Sequence, residues 1–291
     1  MSQLALSIIF VLFGLIPGLI APRSTASPGA TACVVPLSQT VRIPVSMLGA
    51  PERPESKDVS IPTLLISKGA VDELPEGPTG FDVLEDGSFV IVDPLRRRIC
   101  LFDSQGKFQK AWKTGFSADS VTIMKNGLLA VEESGTDTVH VFDRDGIAKP
   151  QEAAVIPKYG DARVLSGSSG IVNRVSAGGT RPLEINYDRQ GSRLLSLQTL
   201  SDDAEGNTFV AVEGTTAGDP GEEIRLNKSI RRYSGDGTLS REVSDIPLDY
   251  YVAAVDELRV HNGKVYQLVT TSTGVNINVW NTNDQCRHDS E

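Results

Sequence analysis

The segment from Gly80 to Trp112, GFDVLEDGSFVIVDPLRRRICLFDSQGKFQKAW, recurs forty residues later without a gap. Phe102-Asp103 falls on Phe142-Asp143, Gly87 on Gly127, Asp93 on Glu133, Ile99 on Val139 and Gly106 on Gly146. Each copy reads as an apolar strand, an x-Gly turn, an apolar strand ending in a carboxylate, and a strand ending Phe-Asp-x-x-Gly. Short apolar runs separated by Gly, Asp and Pro predict antiparallel strands joined by tight turns. Looser copies close on Tyr187-Asp188-Arg189-Gln190-Gly191, on Tyr233-Ser234-Gly235-Asp236-Gly237 and on Val279-Trp280-Asn281. The closing aromatics stand 40 to 47 residues apart, from Phe102–Phe142 at the short end to Tyr233–Trp280 at the long.

A repeat of this length in an all-β sequence is the signature of propeller blades, each a sheet whose two apolar faces are buried only by its neighbours in a ring. A sandwich or an open array of hairpins does not explain a turn recurring in constant register. The expected fold is therefore all-β, a β-propeller of five or six four-stranded blades, with the ring closed by an N-terminal strand. The last copy lacks an outer strand, whereas IPTLLISKG, ahead of the first copy, has no sheet of its own. Supplying one with the other would pair an open sheet edge and bring Cys33 toward Cys286, where a disulfide clasp could form.

The first two copies resemble NHL repeats, the strand-turn units of a β-propeller family. The likeness is close over residues 78 to 150 and a matter of pattern over 151 to 283. Members of that family usually have six blades, so five recognisable copies leave the count open. The resemblance implies functions that range from protein and RNA binding to related lyases and lactonases, so the site must decide.

With 28 Lys and Arg against 37 Asp and Glu, the net charge is -9. Such a surface repels polyphosphate, which argues against general nucleic-acid binding. Residues 4 to 21 are apolar apart from one serine and precede small residues at Ser24-Thr25-Ala26 and Ala30-Thr31-Ala32. Residues 1 to 26 read as a signal peptide or an N-terminal anchor, placing the protein outside the cytoplasm, secreted or membrane-attached. A lipid-attachment site at Cys33 is matched only loosely. Residues 27 to 60 read as a Pro- and Ser-rich linker, with VRIPVSML as a potential edge strand. The propeller is expected over 61 to 283, and a polar tail over 284 to 291. Cys100, inside ICLFD, reads as a buried small hydrophobe.

Asp93, Glu133 and Glu213 end second strands at the same register in three copies. Carboxylates repeated round a ring suit a divalent cation with oxygen ligands, calcium above all, and Asn173 and Asn207 are available as further ligands. The bland alternative is that such a carboxylate caps the turn or pairs with Arg or Lys between blades. His140, His261 and His288 show no ligand spacing, and no Gly-x-Ser-x-Gly elbow occurs. Arg96-Arg97-Arg98 reads as a solvated or acid-paired loop. The insertion GTTAGDPGEEIRLNKS is the first candidate contact surface, and it holds a formal glycosylation sequon at Asn227-Lys228-Ser229. The function expected is a monomeric binding module that recognises a protein, peptide or glycan through one ring face. The alternative is a metal-assisted hydrolase or lactonase at the central channel.

Overall fold

A computed structural model of the chain describes residues 24–25, 32–48, 59–69, 73–150, 162–176, 179–187, 192–203, 205–216, 224–244, 246–252 and 254–284. Five sheets follow one another along the chain, each laid down from its innermost strand outward. Blade 1 comprises Phe81–Val83, Phe89–Asp93, Arg98–Phe102 and Phe108–Lys113, and blade 2 comprises Ala118–Ile123, Leu129–Glu133, Val139–Phe142 and Ala148–Lys149. Blade 3 holds Ala162–Ser166, Ser169–Ser176 and Gly179–Asn186, and blade 4 holds Arg193–Asp202, Thr208–Thr216, Arg225–Tyr233 and Leu239–Val243. Leu258–His261, Lys264–Thr271 and Gly274–Asn281 form blade 5. The only helical element among the described residues is a single 3-10 turn, Pro94–Arg96.

The chain ahead of the repeats edges the last three blades. Ser24–Thr25 pairs parallel with blade 3, Cys33–Val34 pairs parallel with the outer strand of blade 4, and Gln39–Ile43 lies antiparallel to Gly274–Asn281 as the outer strand of blade 5. That last strand is not IPTLLISKG. Leu64–Ser67 instead pairs parallel with Val45–Leu48 in a two-stranded sheet. Pro44 divides VRIPVSML between the two sheets, and its carbonyl accepts from Leu64 N at 2.9 Å. A proline has no N–H to give a ladder, so the strand changes partners there. The span read as a linker thus contributes three of the strands.

Alternation along the strands builds the seams between blades. Phe81, Phe89 and Ile91 of blade 1 share a core with Leu268, Val275 and Ile277 of blade 5, joined by Val41, Ile43, Leu64 and Ile66. The other face of blade 1, with Val90, Val92 and Ile99, packs on Val121, Leu129 and Val131 of blade 2. Similar cores join blade 3 to blade 4 and blade 4 to blade 5. Cys100 is buried and free, and burial pushes its thiol up to about 12. Cys33 is disulfide-bonded; Cys286 lies outside the described residues.

The Phe-Asp-x-x-Gly sentence has a physical cause at each letter. Phe102 and Phe142 are core residues. Asp103 Oδ1 accepts from the N–H groups of Gln105 and Lys107, at 3.0 and 2.9 Å, and Asp143 does the same for Asp145 and Ile147. Gly106 and Gly146 take φ of 80° and 81° and press on the preceding blade. A Cβ on Gly106 would collide with the Arg42 carbonyl oxygen, and one on Gly146 with the Trp112 ring.

Gly127, in contrast, has φ of 76° but open space where a Cβ would stand. Gly127→Ala should therefore lose only the left-handed backbone term, about 1–2 kcal/mol. Gly146→Ala adds overpacking against Trp112 and should lose about 2–4 kcal/mol. Urea denaturation midpoints measure the difference, and equal losses would show that the closing turn is not a contact between blades.

Candidate functional site

The innermost strands of blades 1, 2, 4 and 5 surround a cavity of about 600 Å³ that runs toward the turns joining first and second strands. The charges of Asp82, Asp256 and Arg259 in its lining are spent on one another. Asp82, a carboxylate within the apolar run FDVL, accepts from Ile123 N of blade 2 at 2.6 Å and from Val83 N at 2.7 Å, and faces Arg259 of blade 5 at 3.5 Å. Asp256 grips the Arg259 guanidinium with both oxygens, and Arg259 also reaches Val121 O of blade 2 at 3.2 Å and lies over the Phe81 ring. The cluster ties three blades together at the axis. Burial raises the Asp82 carboxyl above its ordinary range, against the lowering effect of Arg259 and the two N–H groups. Ser120 Oγ donates to Glu132 at 2.8 Å beside it.

The three carboxylates expected to hold a cation sit on second strands, one strand spacing outside this lining. Each holds a base from its own blade. Asp93, 0% exposed, receives Arg98 Nε at 3.0 Å, with Arg96 at 3.6 Å. Arg98 also donates to the carbonyls of Val59, Ile61 and Thr63, so this arginine of the basic loop is a buried clasp on the segment leading into blade 1. Burial raises Asp93 despite Arg98. Glu133 meets His140 Nε2 at 3.0 Å, and that imidazole stacks on Phe116. Glu213 takes Lys228 at 2.7 Å and Ser196 Oγ at 2.9 Å. Burial pushes Glu213 up, but these two donors outweigh it and leave the carboxyl below its ordinary range. Among the described residues no three His, Cys, Asp or Glu side chains gather closely enough to hold a metal ion.

At the opposite end of the ring, on the side of the turns joining second and third strands, lies a groove of about 490 Å³. One wall is Pro94 and Leu95, on the turn that the arginine clasp fixes, and another is Leu74 and Pro75 on the approach to blade 1. Tyr250, Tyr251 and Val252, from the connection into blade 5, form the third. That connection is pinned: Tyr251 N donates to Thr270 O, Val252 N donates to Thr270 Oγ1, and Thr270 Oγ1 donates to Val252 O at 2.6 Å. Tyr250 Oη donates to Pro247 O at 2.9 Å. Burial, followed by the neighbouring Glu257 carboxylate, raises its phenol far above the ordinary value, so it stays a donor. Glu76 and Asp119 are the groove's charged lining residues. Mostly apolar concavities with a few fixed polar groups are the usual form of a ligand site.

Pro94 and Ser134, and Thr79 and Asp119, stand at equivalent places in the first two copies. The repeated carboxylates drew attention to the strand ends, however, and Leu74, Pro75, Tyr250, Tyr251 and Val252 lie on connections outside the repeats. The lone carboxylate of Asp82 inside an apolar strand was a readable signal, because buried acids are rare without a partner. Asn207 caps its own turn through Asp203, and Asn173 lies on the second strand of blade 3. The insertion in blade 4 is partly a continuation of the hairpin, to Thr216 and from Arg225, with 217–223 outside the described residues. Asn227, the sequon asparagine, spends its side-chain N–H on Thr216 within that ladder. His261 Nε2 lies 2.9 Å from the Asn262 amide nitrogen. No helix among the described residues is long and apolar enough to cross a membrane, and residues 4–21 lie outside them.

The sheets define the class: the chain is a β-propeller. No protein-family model and no curated protein matches its sequence. Among solved structures it is similar to a gluconolactonase of Xanthomonas campestris, at 11% identity over 86% of this chain and 100% of that one, with a TM-score of 0.35. It is also similar to BamB of Moraxella catarrhalis (11% identity, 89% and 99% covered, TM-score 0.33) and to a virginiamycin B lyase of Staphylococcus aureus (13%, 69% and 83%, TM-score 0.30). Likeness at this level carries nothing about activity.

The axial cluster makes a pH-dependent contribution of known sign. With its folded value raised from 3.8, Asp82 stabilises most below that ordinary value, and the contribution declines as pH rises through the folded one. Asp82→Asn has no proton to lose there. The stability gap between wild type and Asp82→Asn, from urea unfolding, should therefore be wider near about pH 4 than near about pH 7. A gap that narrows on acidification would contradict the assignment.

Proposed function

We propose that this chain is an exported, NHL-like propeller that serves as a binding module, taking a segment of a polypeptide in the groove walled by Leu95, Tyr251 and Val252. The observation that supports this most is the groove itself: apolar walls on three separately anchored segments, ready before any ligand arrives. A preformed site spends little ordering entropy on binding. The aliphatic and prolyl side chains of Leu74, Pro75, Pro94, Leu95 and Val252 match the apolar side chains of a peptide, which favours a polypeptide over a glycan. The hydrolase alternative, with calcium on Asp93, Glu133 and Glu213, would require each carboxylate to release the Arg98, His140 or Lys228 side chain it already meets and to turn toward a common centre.

Selection of displayed peptides on the immobilised protein should return ligands whose Kd weakens about tenfold or more in Leu95→Asp, the loss of one well-packed apolar contact and its replacement by a charge. Leu226→Asp, exposed and outside the groove, should leave them unchanged. Ligands indifferent to Leu95→Asp would overturn the assignment of the site. Melting curves with and without chelator address the alternative. No shift is expected, whereas a fall of about 5 °C or more would mean that a tightly held ion stabilises the native state.

A further inference from the structure

We infer that the polypeptide segment taken by the groove carries a lysine or arginine flanked by apolar residues, its charged head lodged against Asp119 and Glu76. This rests on the proposed groove and adds the chemistry of its occupant. Among the described residues, ion pairs hold many of the acids of the channel and of the blade strands: Asp82 and Asp256 hold Arg259, Asp93 holds Arg98, and Glu213 and Glu257 hold Lys228. The groove is different. Its lining contains two carboxylates and no Lys, Arg or His. Neither carboxylate has an ion-pair partner among the described residues.

Asp119 is positioned for such a role. It is half-buried, and Ser134 Oγ donates to its Oδ1 at 2.6 Å, which fixes the carboxylate while leaving Oδ2 unbonded among the described residues. Ser134 is fixed in turn by its N–H to Ser117 O at 2.9 Å. The groove that contains this acid is also lined by Leu95, Pro94, Tyr250 and Tyr251, and by Leu74, 86% exposed. A long basic side chain is apolar along its stem and charged only at its end. It can lie along Pro94 and Leu95 while its head meets the acids, and tyrosine faces attract the same cation. A neutral apolar segment would bury the two carboxylates without compensation, which costs free energy. An acidic segment would add repulsion within a protein whose net charge is -9.

The test uses fluorescein-labelled Gly-Leu-Lys-Leu-Gly, with norleucine or glutamate replacing the lysine, titrated into the full protein and followed by anisotropy. The lysine peptide should bind about tenfold more tightly than the norleucine isostere, as a charge-assisted hydrogen bond supplies. Added salt should shrink the gap. Asp119→Asn should remove most of the gap without weakening the norleucine peptide, and Glu76→Gln, on an exposed residue, should reduce it further. Equal binding of lysine and norleucine peptides, both lost in Leu95→Asp, would sink the cation inference and leave the groove reading standing. A lysine preference unaffected by Asp119→Asn and Glu76→Gln would also sink it. Binding of either peptide that ignores Leu95→Asp, or no binding up to about 1 mM, would overturn both.

Discussion

A sheet with apolar side chains on both faces has no stable existence until something covers each face. Blade 1 shows the constraint plainly. Phe89 and Ile91 face one way and Val90 and Val92 the other, and all four are buried. The first set is covered by blade 5, the second by blade 2. A chain obeying this rule must bring its end back to its beginning. At the seam between blades 5 and 1 that return is made by Val41 and Ile43, which pair with the last strands and pack against the first.

The repeat was legible in the sequence because its letters answer to local physics. An aspartate that accepts two backbone N–H groups and a glycine at positive φ are demanded by the turn itself, and so they recur in register. Which strand completes blade 5 was not legible. Leu64, Leu65 and Ile66 are all buried, so LLI signalled a strand without saying in which sheet, whereas VRIPVSML, read as a potential edge strand, supplies Val41, Arg42 and Ile43 to the edge of blade 5. The acids Asp93, Glu133 and Glu213 show a different gap. Register fixes the height of a residue along the ring axis, and its distance from that axis depends on the order of strands within the blade. The three share a height but stand on second strands, where a base from the same blade reaches them first.

The two ends of the ring have opposite electrostatic character. Around the channel, Arg259 is shared by Asp82 and Asp256, and an arginine in that position holds blades 1, 2 and 5 in a fixed relation. At the groove end, the carboxylates of Asp119 and Glu76 face apolar walls without a base. The groove combines turns of blades 1 and 2, at Pro94-Leu95 and Ser134, with connections that no repeat specifies, 73–79 before blade 1 and 250–252 before blade 5. Rigid blades fix the ends of such connections, so their sequences are free to carry recognition.

The pairing of Gln39–Ile43 with Gly274–Asn281 also sets a clock. Thr40 donates to Asn278 across 238 positions of sequence. During synthesis the N-terminal strand emerges early and has no partner until nearly the whole chain has followed. Blades 1 and 2 can form in order as they appear, but the outer edge of blade 5 and one face of blade 1 stay open to the last. Contacts this distant are slow to form and expose apolar edges meanwhile. The seam between blades 5 and 1 therefore cannot close until Gly274–Asn281 has been made, and until then the apolar face of blade 1 stays open to whatever meets it first.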